Sequence, residues 1–257
     1  LILGDLITEL RENILHDRSD QVGGPSDYLW SDDTLTRYIN QAYFRFATEA
    51  LCLRDNVTPQ YTQFTSAANV EQYVLDPAVL AVISVQMTGD RGDLIRAGHA
   101  DFNMGFRPDH YFFDPNALAV LPPGKPQAFS TDEGMAETDD GALSAVTLRL
   151  FPIPSTDYAP VVGKMRVIRL PSGPLKDPND VPELPERHHL EMLDWAAYLA
   201  LRIVDHDLGD TGRAQEFKAS FEDSAHKARL LSMRKMFAPL QHGFGRNGWS
   251  WGDNNGL

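Results

Sequence analysis

Helical periodicity occupies both ends of this chain and strand periodicity the middle, and that order limits the fold more than any single motif does. Residues 2–50 read as two amphipathic helices, residues 58–175 as strands and turns, and residues 186–236 as helices again. Neither helical end holds enough apolar surface to stand alone, so the two ends are expected to pack on each other with the strand region inserted between them. The expected class is α+β: a helical bundle built from the N- and C-terminal helices with an inserted antiparallel β domain, a small sandwich or barrel. The expected boundaries are 1–57 and 176–236 for the bundle, 58–175 for the β domain and 237–257 for an extended tail.

The first helix is expected over 2–15, with Leu3, Leu6, Ile7, Leu10, Ile14 and Leu15 on one face and Asp5, Glu9, Arg11 and Glu12 opposite. Gly23, Gly24, Pro25 and Ser26 mark a loop after it. Ser31 can cap the second helix, and Asp32 and Asp33 suit its positive end. Its buried face is Leu35, Tyr38, Ile39, Ala42 and Phe46, widened by Tyr43, Phe44 and Ala50. Cys52, the only cysteine, reads as core on an apolar helix face, and no intrachain disulfide is possible.

Strand patterns begin near Gln60 with Tyr61 and Phe64, and continue through Val70, Tyr73 and Leu75 after a turn at Ala67-Ala68-Asn69. The β-branched run Val79–Met87 predicts a more buried strand. Residues 89–109, with Phe102, Met104 and Phe106, read as a long excursion. Tyr111–Phe113 and Leu118–Leu121 predict short strands, and the prolines of 122–126 break the pattern. Residues 131–141 read as an acidic loop tip. Val146, Leu148, Leu150 and Ile153 alternate in one strong strand, and Val162, Met165, Val167, Ile168 and Leu170 make the last, interleaved with Lys164, Arg166 and Arg169.

Pro171, Pro174, Pro178, Pro182 and Pro185 form a link into a helix expected over 186–207, whose centre is apolar almost all round. Such a helix belongs in a bundle core or at a subunit interface. The last helix is expected over 211–236, with the stripe Ala214, Phe217, Phe221, Ala225, Ala228 and Leu231. From Pro239 the tail has no periodicity. Two Trp residues on a glycine-bearing arm point to a segment that orders on a partner; the alternative is an unstructured terminus. The candidate partner-binding residues are Phe244, Arg246, Trp249 and Trp251, with Arg234 and Lys235 on the preceding helix.

The 23 basic and 36 acidic residues give a net charge of −13, which argues against coating DNA phosphates and suits a soluble protein, or a wall past which DNA must slide without sticking. The balance is uneven: Ser224 to Gly252 contains no acid but has Lys227, Arg229, Arg234, Lys235 and Arg246. This reads as a helix end with its favoured cations and a solvated tail, or as a docking surface for an acidic partner. No apolar run approaches the roughly 18 residues that span a bilayer. The opening residues, interrupted by Gly4, Asp5 and Glu9, do not read as a signal peptide.

No motif carries catalysis. His188 and Glu191 share a helical face, but two ligands do not make a metal site. Asp205-His206-Asp207 sits at a helix end, where such residues are common. Gly243-Phe244-Gly245-Arg246-Asn247-Gly248 matches a dinucleotide pattern but follows a helix instead of a strand. No catalytic residue, metal or cofactor is expected.

Tyr28-Leu29-Trp30-Ser31-Asp32-Asp33-Thr34-Leu35 with Ile39-Asn40-Gln41-Ala42 forms one set of familiar residues. A second runs from Leu148-Arg149-Leu150-Phe151-Pro152-Ile153-Pro154 and Arg169-Leu170-Pro171 to Val181–His189, Leu193-Asp194-Trp195-Ala196 and Phe217–Phe221. In this order they resemble the head-to-tail adaptor (connector) proteins of tailed bacteriophages, over roughly 2–235. The resemblance implies a structural virion protein in the neck, assembled as a homo-oligomeric ring commonly of about twelve copies. Its partners would be the portal and the tail proteins, with genomic DNA passing through the lumen without specific binding. It would be assembled in the host cytoplasm and have no membrane role. The rival readings are a tail-tube or tail-terminator protein and, more distantly, a metal-dependent hydrolase.

Overall fold

The computed structural model describes residues 1–17, 28–96, 122–132, 145–203 and 211–243. The first helix begins as α1 (Leu3–Thr8) and widens into a π-helical turn over Glu9–Ile14. Consecutive Leu10 and Arg11 on this wider turn are both buried. Arg11, expected on the outer face, is buried. Its guanidinium donates to Trp30 O at 2.9 Å and Asp32 Oδ1 at 2.6 Å, and lies under the Tyr28 ring. Asp17 accepts from the backbone N–H groups of Leu29 and Trp30.

Helix α2 (Asp32–Ala50) starts where its cap predicts: Ser31 Oγ accepts from Thr34 N. It ends on Leu51 in the left-handed region, φ 49°. Cys52 therefore lies beyond the helix, half-buried against the helical core. Pro59–Thr62 is a short helical turn, α3, with Pro59 at a position that needs no backbone N–H, so Tyr61 is helical and not in a strand.

The strands are β1 (Arg54–Asp55), β2 (Gln63–Thr65), β3 (Gln72–Val74), β4 (Val79–Met87), β5 (Ile95–Arg96), β6 (Ala128–Asp132), β7 (Thr147–Phe151) and β8 (Val162–Arg169). In the first sheet β8 is central. β4 pairs along one edge, and β1 and β2 follow one another along the other, all antiparallel. The second sheet has the order β3-β7-β6-β5, and its β5–β6 pair is parallel. The β region is thus partly mixed, not wholly antiparallel, and the described residues form two open sheets, not a closed barrel. Strand β6 has no alternating signature because Ala128, Phe129 and Ser130 are all buried. It takes Thr131 and Asp132 from the expected acidic loop, whose residues 133–141 lie outside the described ones, as do the strands expected at 111–113 and 118–121.

Val82, Val85, Met87, Met165 and Val167 face Phe129, Leu148 and Leu150 across the two sheets. Opposite Gly163 in the β2–β8 register stands Phe64, whose ring covers the glycine Cα; any Cβ there would overlap its Cε1 and Cζ atoms. A second core draws on residues between Leu3 and Ala50 and between Leu175 and Ala228. Between the two stretches lies the whole of the sheet core, Tyr61 to Val167.

Glu186–His188 forms a 3₁₀ turn, and α4 proper begins at Leu193, later than the expected start at 186; it is described to Ile203, and the expected residues 204–207 lie outside the described ones. From Trp195 to Leu201 every residue of α4 is buried within this one chain, enclosed by α2, the π-helical turn and α5 (Thr211–Gly243). The last helix continues past 236 and through Pro239. Its buried stripe is Ala214, Phe221, Ala225, Ala228 and Ser232; Leu231, expected inside, is 44% exposed. Among the described residues no helix is long and apolar enough to cross a membrane.

Candidate partner-binding site

Ser232 decides which way the end of α5 faces. Its hydroxyl donates to Leu51 O at 2.8 Å, and Arg54 reaches it at 3.2 Å and also bonds its backbone carbonyl. Leu51 is the left-handed cap of α2, whose C-terminal carbonyls need donors. With Ser232 turned inward, Leu230, Leu231 and Met233 must turn outward, and they are 44%, 44% and 38% exposed. Arg229 and Arg234 are exposed beside them. A run of exposed apolar side chains with flanking arginines is what a helix presents to a protein partner.

An ionic cluster adjoins it through Asp55, the residue after Arg54. Arg169, at the end of β8, donates to Asp55 Oδ2 at 2.8 Å, pairs with Glu183 at 2.6 Å and lies over the Tyr61 ring. Burial works against an ionised Asp55. The backbone N–H groups of Thr58 and Val57, with the Arg169 guanidinium, outweigh it and hold the carboxyl well below the usual carboxylate range. Glu183 is likewise lowered, against its own desolvation, by Ser172 and Arg169. Both carboxylates in turn raise Arg169 despite its burial. The backbone N–H of Glu183 donates to Tyr43 Oη at 2.7 Å, and burial pushes that phenol up to about 12. One network therefore ties α2, β1, β8 and the proline-rich link together where helices meet sheets.

His188 Nδ1 and Glu191 Oε2 do converge, at 2.5 Å, as a hydrogen-bonded pair. Arg187 Nε donates to His188 Nε2, so Nδ1 carries the proton that points at Glu191. His189 bonds Leu184 O through Nε2. Both rings are buried and hold the 3₁₀ turn in place. No group of three His, Cys, Asp or Glu among the described residues is placed to hold a metal.

Of the candidate partner-binding residues, Arg234 is exposed on α5 and Lys235 continues that helix. Phe244, Arg246, Trp249 and Trp251, and Asp205-His206-Asp207, lie outside the described residues. Sequence reading missed Leu230, Leu231 and Met233 as surface. The signal was present: from Ala228 the stripe steps by four to Ser232, which leaves the three apolar residues off it.

No curated protein matches the chain. The SU10 adaptor protein family model matches residues 2–242, nearly the whole chain and both cores, so this chain belongs to that family of phage head-to-tail adaptors and is a structural phage adaptor protein.

Proposed function

We propose that the chain is one subunit of a ring of about twelve copies in the virion neck, between portal and tail, through which the genome passes. The family match over residues 2–242 carries this reading. Two further features support it. The net charge of −13 disfavours adhesion of DNA to the wall it slides along. The end of α5 carries exposed apolar side chains that the chain's own core does not use. In this reading the helices of residues 1–57 and 176–236 form the bundle, and residues 58–175 form an inserted head. The tail, with Phe244, Arg246, Trp249 and Trp251, reaches a neighbouring subunit or the portal, and assembly takes place in the host cytoplasm.

Native mass measurement of the purified protein, alone and mixed with its portal ring, with imaging of any large species, tests the proposal. A ring near twelve copies, free or on the portal, is expected. A monomer or dimer that ignores the portal would overturn the reading.

A further inference from the structure

Along β8 the side chains alternate between two surroundings. Met165 and Val167 are buried towards the second sheet, while Lys164 and Arg166 stand exposed on the opposite, outer face. The strand register carries that outer face across the whole first sheet. Gln63 of β2 and Gln86 of β4 flank Lys164, Ser84 of β4 stands beside Arg166, and Arg54 of β1 stands beside Ile168. Lys164, Arg166, Arg54 and Gln63 are exposed, and Ser84 and Gln86 are half-buried. No acidic residue occupies a registered position of this face.

The nearby carboxylates pair elsewhere. Asp55, next to Arg54, turns to the other face of the sheet and pairs with Arg169; Asp90, beyond β4, pairs with Lys125. Among the described residues no carboxylate pairs with Lys164, Arg166 or Arg54. Arg54 donates only to the two uncharged oxygens of Ser232. Arg229 and Arg234, on either side of Ser232, are exposed and extend the positive charge onto α5. In a chain of net charge −13 the outer face is therefore a local inversion of sign.

The side chains present choose the ligand. A protein partner would be held by apolar or aromatic anchors. The face has one exposed large apolar residue, Val162 at 38%, at the end of β8 far from the helices. No aromatic side chain stands at its registered positions, so it offers no stacking platform for the bases of a single strand. Lys and Arg with Gln and Ser are the side chains that contact a phosphodiester backbone. Lys164 and Arg166, two residues apart on one strand, are about 7 Å apart and can meet phosphates along one backbone together.

We propose that the outer face of the first sheet, through Lys164, Arg166 and Arg54, contacts the phosphate backbone of double-stranded DNA without reading its sequence. The contact is weak, because the rest of the chain is strongly acidic and repels the duplex. A few cations on a repelling body touch DNA without arresting it. The assignment does not need the ring: native mass decides the ring, duplex binding decides this face, and neither result decides the other.

Anisotropy of a fluorescent DNA duplex titrated with the full chain at low salt tests it, with Lys164→Gln/Arg166→Gln as the variant. Both positions are exposed and unpaired, so the variant should keep the unaltered melting temperature. Arg54 is left in place because it holds Ser232. The unaltered chain should bind the duplex with an affinity that falls steeply with salt. The variant should bind roughly tenfold or more weakly, with the salt slope reduced by about two. If the unaltered chain does not bind the duplex at low salt, or if the variant binds with the same affinity and slope, the assignment is wrong. If polyglutamate binds as tightly as the duplex and displaces it, the face belongs to an acidic protein and the DNA assignment falls.

Discussion

Arg169 and Asp55, on the paired strands β8 and β1, meet in a 2.8 Å ion pair whose side chains are about nine-tenths withdrawn from water. Removing one member would leave the other buried and charged, which is the costly case. Arg169→Ala is therefore expected to lose about 3 kcal/mol or more in urea unfolding. Asp55→Asn/Arg169→Met, which removes both charges, should lose clearly less. Equal losses in the two variants would mean that Arg169 matters through packing on Tyr61 alone.

The same groups set the pH range of the fold. Asp55 and Glu183 are held below their ordinary values, so each stabilises the folded chain fully above about pH 4 to 4.5, where the unfolded carboxyls titrate. That contribution is lost as the pH falls towards the folded values. Tyr43 behaves oppositely: its unfolded phenol ionises near about pH 10. The folded one waits until about 12, so stability falls as pH rises through that window. Asp55→Asn should flatten the acid limb of a stability–pH curve, and Tyr43→Phe the alkaline limb.

Burial pushes the Cys52 thiol up to about 11. At pH 8 only about one thiol in a thousand is then thiolate. A disulfide reagent should label the folded protein far more slowly than the urea-unfolded one. Equal rates would place Cys52 in water.

Gly163 is required by the ring opposite it. Gly163→Ala is expected to cost about 1–3 kcal/mol, because the Phe64 ring must leave its place across the β2–β8 pair. Adding Phe64→Leu should recover part of the loss, and a double-mutant cycle would show the coupling. Additive effects would mean that the two residues act apart.

Phe221 and Leu231 lie on one helix but should respond differently. Phe221 is fully buried against Phe46 and Trp195, and Phe221→Ala should lose about 3–5 kcal/mol. Leu231→Gln should stay within about 0.5 kcal/mol in melting while weakening self-association. A large melting loss for Leu231→Gln would return that side chain to the core.

Much of the helical part was legible because its signals are local. Ser31 with Asp32 and Asp33 marks the start of α2, and Leu35 to Phe46 marks its buried face. The uniform apolarity of α4 left a bundle core or a subunit interface open, and burial of Trp195 to Leu201 within one chain accounts for it. Strands β4, β7 and β8 were legible through β-branched runs and alternation. What escaped depends on partners distant in sequence. Strand β6 is buried at consecutive positions and has no period. The burial of Arg11 answers Trp30 and Asp32, which no helical pattern near Arg11 displays. The candidate site was half legible: composition drew attention to Arg234 and the basic helix end. The outward turn of Leu231 depends on a serine hydroxyl finding the carbonyl of Leu51.

The chain enters the sheets along β1 and leaves along β8, and these strands are hydrogen-bonded neighbours, with Arg169 N on Leu53 O at 3.0 Å. For the helices, everything between is therefore a closed excursion that returns to its starting point. Lengthening, shortening or exchanging it leaves unchanged the gap that the helical core must bridge. The fold thus separates two kinds of variation: the helices can stay fixed as a chassis while the sheets between their ends are refitted.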